Sequence, residues 1–203
     1  MPRYKLAERC FAEIHKTGLP REIYELIIVN NGGIHSDIFP DPDLVITNSK
    51  NIGQAAALNQ GVSVAKSENL VFLDDDLSFE QDWLSVGIKI LNRYKHYVVS
   101  LRKVHGRYIT GTTGRGYKEA RSVGGIWIMK KWLYKKVGPF GVGYYDFGGL
   151  WTRNLIRSGH KFVVSKKQYI IHLGRGHSIV GKSHRKWNQR SGDQAKAKTR
   201  AIR

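Results

Sequence analysis

A single cysteine, Cys10, leaves this chain unable to form an internal disulfide, so its stability has to come from a packed core. One unpaired thiol is compatible with a reducing compartment. Acidic residues are scarce: 16 Asp and Glu stand against 34 Lys and Arg, a net charge of +18. No apolar run is long enough to span a bilayer, and the opening "MPRYKLAERC" lacks an apolar secretory segment. The expected location is therefore the cytoplasm, with peripheral contact at a membrane surface left open. Internal repeats are absent, as are helix-turn-helix, zinc-finger and ribonucleoprotein signatures.

What is present suffices for one domain. The 203 residues are 41% hydrophobic and 11% aromatic, which excludes wholesale disorder and predicts a substantial core. The basic excess calls for an anionic partner, which could be nucleic acid, an anionic membrane or a phosphorylated substrate. Residues 174–203 are poor in apolar side chains and rich in Lys, Arg and Gly, and read as a mobile basic tail. Arg102 to Gly125 is a second Gly-rich basic stretch, with Arg107, Arg115, Lys118 and Arg121, and reads as a long surface loop.

Between these segments strand and helix signals alternate. Leu6, Ala7, Cys10, Phe11 and Ile14 recur at helical spacing, and Gly18 with Pro20 stops that helix. Tyr24 to Val29 reads as a buried strand ending at Asn30, Asn31, Gly32 and Gly33. A short strand at Leu44 to Thr47, a helix from about Gly53 to Ala65 and a strand at Leu70 to Leu73 follow. Uninterrupted apolar strands separated by helices predict an α/β domain with a mostly parallel central sheet flanked by helices. Ligands in such sheets bind beyond the carboxyl ends of strands. Asn30 to Gly33 and the acidic run Asp74, Asp75, Asp76 both fall at those ends.

That acidic run is the main chemical signal. In an extended backbone Asp74 and Asp76 share a face about 6.6 Å apart. Their mutual repulsion at that spacing costs roughly 2 to 3 kcal/mol at an effective dielectric near 20. A divalent ion removes the cost, and oxygen-only ligands suit Mg²⁺ or Mn²⁺ better than zinc. Such an ion, held by one or two carboxylates, completes its shell with water and substrate phosphates. The competing reading is a turn in which the three acids cap a helix beginning near Ser78.

The segment Asn51-x-Gly53-x5-Asn59-x-Gly61-x3-Ala65, followed by a strand closing in "FLDDD", resembles the donor-binding half of family 2 glycosyltransferases with a GT-A fold. "SVGGIWIMKKWLYKKVGPFG", "YYDFGGLWTRNLIRSGHKF" and "YIIHLGRGHS" are similar to the family's downstream strand and helix, acidic motif and closing strand. The likeness runs from about Lys5 to Ser178. It implies a GT-A domain over 1–173, with a donor-binding half over about 1–80 and an acceptor half over about 81–173, and the tail beyond it. It further implies a metal-dependent, inverting transfer of sugar from a nucleotide-diphosphate donor to the hydroxyl of an unspecified glycan, protein or lipid acceptor.

Carried over residue by residue, the resemblance assigns Asp74 or Asp75 to the ribose or diphosphate and Asp76 to a Mn²⁺ or Mg²⁺ ion. Asn30, Asn31, Asn51 and Gly53 join the donor site, and Asn30 and Asn31 stand where the family often has an aspartate that reads uracil. His172 completes the metal or diphosphate site, and Asp146 is the general base on the acceptor hydroxyl.

Each role has a structural alternative. Asp146 could cap a helix starting near Gly148, and His172 could be a structural histidine at a strand end, with His177 competing as ligand. Ala55, Ala56, Ala57 and Ala65 let their helix sit close on the sheet whatever the function. Trp127, Trp132 and Trp151 read as core, whereas Trp187 lies in the tail. Arg175, Lys182, Arg185 and Lys186 fit either a flap over the diphosphate or a solvated tail. The rival functional class is a basic nucleic-acid-binding module contacting phosphates through the tail and the Arg102 to Gly125 loop. Three acids at a strand end serve no purpose there. A sugar nucleotidyltransferase would need a Gly-rich phosphate loop after an N-terminal strand, which this sequence lacks.

Overall fold

Continuous apolar runs make the centre of this protein, because strands buried on both faces need no polar alternation. In the computed structural model, which describes residues 3–32, 39, 41–101, 109–112, 117–121, 126–141 and 149–173, helix α1 (Arg3–Glu13) comes first. A turn of 3-10 helix at Arg21–Ile23 leads into β1 (Ile27–Asn30), then β2 (Leu44–Thr47) and α2 (Gln54–Val64). Next come β3 (Asn69–Phe72), β4 (Leu77–Phe79), α3 (Trp83–Arg93), β5 (Tyr97–Ser100), β6 (Ile109–Thr112) and β7 (Tyr117–Ala120). The chain continues through β8 (Trp127–Lys130), α4 (Lys131–Val137), α5 (Gly149–Arg157), β9 (Lys161–Ser165) and β10 (Ile170–His172).

The main sheet has six strands in the order β3-β8-β5-β9-β7-β6. Its direction corrects the parallel expectation. Only β5 and β9 run parallel within it, while β3 with β8, β8 with β5, β9 with β7 and β7 with β6 are antiparallel. The parallel pairing that the sequence suggested survives as a separate two-stranded sheet, β1 with β2. A third pair, β4 with β10, is antiparallel.

The Arg102 to Gly125 stretch is also corrected. It contains β6 and β7, which extend the sheet beyond β9. Neither strand is strongly apolar. What makes β7 a strand is its ladder to β9, reinforced where Glu119 accepts from Tyr97 Oη at 3.2 Å and from Lys161 Nζ at 2.8 Å.

Alternate side chains of β3, β5, β8 and β9 feed two cores. On one side Leu70, Phe72, Val98, Trp127, Met129, Phe162 and Val164 pack with α2, α4 and α5. On the other Val99, Ile128 and Val163 pack with Cys10, Trp83, Ile90 and Leu91 from α1 and α3, and with Leu77, Phe79 and Ile170 of β4 and β10. Trp127 and Trp151 are buried and stacked, with centroids 5.1 Å apart, and Trp132 is partly buried, so the core reading of all three holds.

Helix α1 is tied to β4 through one carboxylate. Glu13 Oε2 accepts from Ser78 Oγ at 2.6 Å and from the Phe79 amide at 3.1 Å. The Ser78 hydroxyl is the main reason the Glu13 carboxyl titrates below its ordinary value of 4.5, with Phe79 N–H, Lys16 and Arg9 assisting against the opposing effect of burial. A folded-state value below the unfolded one contributes stability above the ordinary value, lost as pH falls through the folded one. Glu13→Ala leaves two donors without their acceptor and is expected to cost about 1 to 3 kcal/mol in urea unfolding at neutral pH. Glu13→Gln should flatten the acid-side fall in melting temperature. An unchanged acid profile would remove Glu13 as its source.

Candidate active site

Two loops and a bend converge at one end of the strands. β1 ends at Asn30, which is buried, and Asn31 turns its carboxamide into the loop before α2. Asn31 Nδ2 donates to Asn51 Oδ1 at 3.1 Å and to the Gly53 carbonyl at 3.2 Å, and its Oδ1 accepts from the Ile52 amide at 3.0 Å. Asn48 and Gln60 exchange two carboxamide bonds of 2.9 and 3.0 Å beside it. Two glycines are needed here. Gly32 has φ +82, and a Cβ on it would lie 2.7 Å from the Asn51 amide nitrogen. Gly53, the residue before α2, has φ +93 and ψ 153, a conformation that other residues avoid. These carboxamides therefore build the floor of the site by joining the end of β1 to the start of α2.

The Asn59-x-Gly61 part of the motif has a different function. Asn59 Oδ1 accepts from Tyr134 Oη at 2.7 Å and the Phe140 amide at 3.0 Å, and its Nδ2 donates to the Phe140 carbonyl at 3.0 Å. This asparagine clamps the Gly138 to Gly141 turn onto α2. It is an architectural residue.

The acidic run leaves β3 as a bend. β3 stops at Phe72, Asp75 and Asp76 turn the chain, and β4 follows at Leu77. The extended geometry expected for Asp74 and Asp76 is thus replaced by a bend, and no helix starts at Ser78. The next helix, α3, begins at Trp83, so the capping reading fails. All three aspartates are half-buried, and Asp76 Oδ1 is shielded from solvent. Asp74 Oδ1 accepts from Gln54 Nε2 at 2.8 Å, which ties the acidic bend to the first residue of α2. Sequence reasoning passed over Gln54. Its signal was an amide side chain at the first position of the helix, directly before three alanines.

β10 closes the bend from the other side. Its main chain pairs His172 with Leu77, and the Leu173 amide donates to the Asp76 carbonyl at 2.8 Å. The chain carries His172 to the acidic bend across nearly one hundred residues of sequence. The His172 side chain lies outside the described residues, as do Asp146, Trp187 and the tail residues Arg175, His177, Lys182, Arg185 and Lys186.

Beneath the bend sits Cys10, whose Sγ approaches the Asp74 carbonyl at 3.7 Å. Burial pushes its thiol up to about 12, and the negative charges of Asp75, Asp76 and Asp74 add to the shift against a backbone hydrogen bond from Leu77. At neutral pH it is an apolar filler under the site.

Among the described residues no three His, Cys, Asp or Glu side chains form a ready-made metal cage. The donor set nevertheless fits a hard divalent ion. Carboxylate oxygens, one of them already desolvated, suit an ion that takes few protein ligands and completes its shell from substrate phosphates.

Comparisons with known proteins give the family and the fold. The model of the family "Glycosyl transferase family 2" matches residues 3–153. The chain belongs to glycosyl transferase family 2. Among solved structures it is similar to a mannosyltransferase, PcManGT from Pyrobaculum calidifontis, in complex with GDP-Man and Mn²⁺. That match has TM-score 0.65 and 18% identity over 87% of this chain and 56% of the other. A structure of GalNAc-T7 with UDP, GalNAc and Mn²⁺ matches with TM-score 0.64 and 13% identity, over 85% of this chain and 43% of that one. S. aureus TarS matches with TM-score 0.58 and 16% identity, over 83% and 34% respectively. The chain thus spans roughly a third to just over half of these proteins, and at such identities the likeness establishes the GT-A fold. No curated protein matches the chain.

Proposed function

We propose that this chain transfers a sugar from a nucleoside-diphosphate donor to an acceptor hydroxyl, with inversion at the anomeric carbon. The observation that carries the reading is the acidic bend Asp74 to Asp76, held between the start of α2 and the β4 with β10 pair at the carboxyl end of β3. Support comes from the family and from fold neighbours described with UDP or GDP-Man and Mn²⁺.

In this mechanism Asp76, with His172, would hold Mn²⁺ or Mg²⁺, and Asp74 and Asp75 would contact the ribose or diphosphate. A bound divalent ion would neutralise charge building on the leaving diphosphate. Gln54 keeps the Asp74 carboxylate turned toward α2, and the Asn31, Asn51 and Gly53 loop supplies the platform beneath the nucleotide. Asp146 takes the proton from the acceptor hydroxyl as its oxygen attacks. A single in-line displacement inverts the configuration.

The test is a panel of nucleoside diphosphates with and without Mn²⁺, read as the thermal unfolding midpoint. At least one should stabilise the protein by about 2 to 3 kcal/mol at a hundredfold excess over its Kd, and only with the ion. The reading is overturned if none does while DNA or RNA binds tightly with a steep salt dependence. Asp146→Asn should keep that donor stabilisation and lose transfer by about 100- to 10,000-fold, followed as release of nucleoside diphosphate. Turnover at the parental rate would remove Asp146 as the base.

A further inference from the structure

Acid is unevenly distributed along this chain. After Glu119 only Asp146 and Asp193 remain, and neither is among the described residues. The described part of the second half, from Ala120 to Leu173, therefore holds Lys and Arg with no carboxylate of its own. Lys161 is paired by Glu119, but Lys135, Lys136, Arg153 and Arg157 have no ion pair among the described residues. Those four sit on α4 and α5, which lie against each other on one face of the sheet.

Helix α5 divides by angle. At about 100° per residue Trp151, Thr152 and Leu155 fall together on one side, and they are the buried residues of the helix. Ile156, Arg153, Arg157 and Leu150 occupy the opposite side in that angular order, and all four are exposed. Leu150 is 41% and Ile156 44% exposed, so two aliphatic side chains flank two arginines on the outward face. The last turn of the neighbouring helix α4 carries Lys135 and Lys136, both exposed.

We infer that the α4 and α5 face docks on an anionic lipid surface. The arginines and lysines meet headgroup charge, and Leu150 and Ile156 enter the boundary between headgroups and acyl chains. Nucleic acid would satisfy the cations equally well but would gain nothing from the exposed aliphatics. The mixture of the two side-chain types selects lipid. This surface is separate from the acidic bend and requires no nucleotide or metal, so it stands whether or not the transferase reading does.

Flotation of the full chain with vesicles tests it. Vesicles of phosphatidylcholine mixed with phosphatidylglycerol should capture the protein, and phosphatidylcholine alone should not. The double variant Arg153→Gln with Arg157→Gln should weaken capture by about ten- to thirtyfold. Leu150→Ser with Ile156→Ser should weaken it by about tenfold or more and remove the binding that persists at high salt. All four side chains are exposed, so both variants should remain folded at the assay temperature, checked by their circular dichroism spectra. Undiminished capture of both double variants overturns the proposal. So does tight RNA binding that the arginine pair controls and the Leu150 and Ile156 pair does not.

Discussion

Asp76→Ala is expected to keep the fold and to lose sugar transfer by about 100- to 1,000-fold, the scale of removing one preorganised electrostatic group from a site of developing charge. The side chain sits where the chain bends out of β3, with Oδ1 already desolvated. Its main chain is independently fixed, because the Leu173 amide bonds the Asp76 carbonyl whatever side chain stands there. Truncation should therefore leave β4 and β10 paired. The matching readout is the metal-dependent nucleotide stabilisation, which should vanish in the variant. If that shift survives intact, the ion is held elsewhere and the assignment to Asp76 fails.

Trp127→Ala is expected to cost about 3 to 5 kcal/mol, a large share of the 5 to 15 kcal/mol typical of a whole domain. Trp127 is fully buried on β8 and touches Trp151, Phe140 and Phe162 at centroid distances of 5.1, 5.9 and 5.5 Å. None of these rings can collapse far into the vacated volume, since each is fixed elsewhere. Trp151 Nε1, for instance, donates to the Gly138 carbonyl at 2.9 Å. Trp132, partly buried against His96 and His160, should cost markedly less. Denaturant titration measures the difference, and equal costs for the two would contradict the packing described.

The loop before α2 and the acidic bend were legible because their signals are local. Gly53 before an Ala-rich helix and three acids after an apolar strand can be recognised without knowing their partners, and the helix runs from Gln54 to Val64 as the spacing predicts. Sheet direction was not legible. Trp127 to Lys130 looks the same in sequence whether it runs parallel or antiparallel to β3, and only the ladder with Phe72, Val71, Leu70 and Asn69 decides. β6 and β7 escaped for a related reason. "ITGT" and "YKEA" lack an apolar run, and it is the pairing of β7 with the distant β9, and of β6 with β7, that makes them strands. The asparagines expected at the donor site lie together at the end of β1 and the loop before α2, with carboxamides engaged with one another and with Gly53 and Ile52. Sequence position conveyed proximity, and side-chain geometry conveyed the scaffolding task.

Among the described residues β3 occupies the end of the six-stranded sheet, and its partner there, β8, lies more than fifty residues later in the chain. During synthesis at about 5 to 20 residues per second, the nascent strand and its acidic bend must wait on the order of several seconds before their neighbour emerges. For that interval an apolar edge is open to other chains. The adjoining carboxylates Asp74 to Asp76 then repel like neighbours on the ribosome, so the residues proposed to serve transfer would also guard the growing polypeptide against self-association.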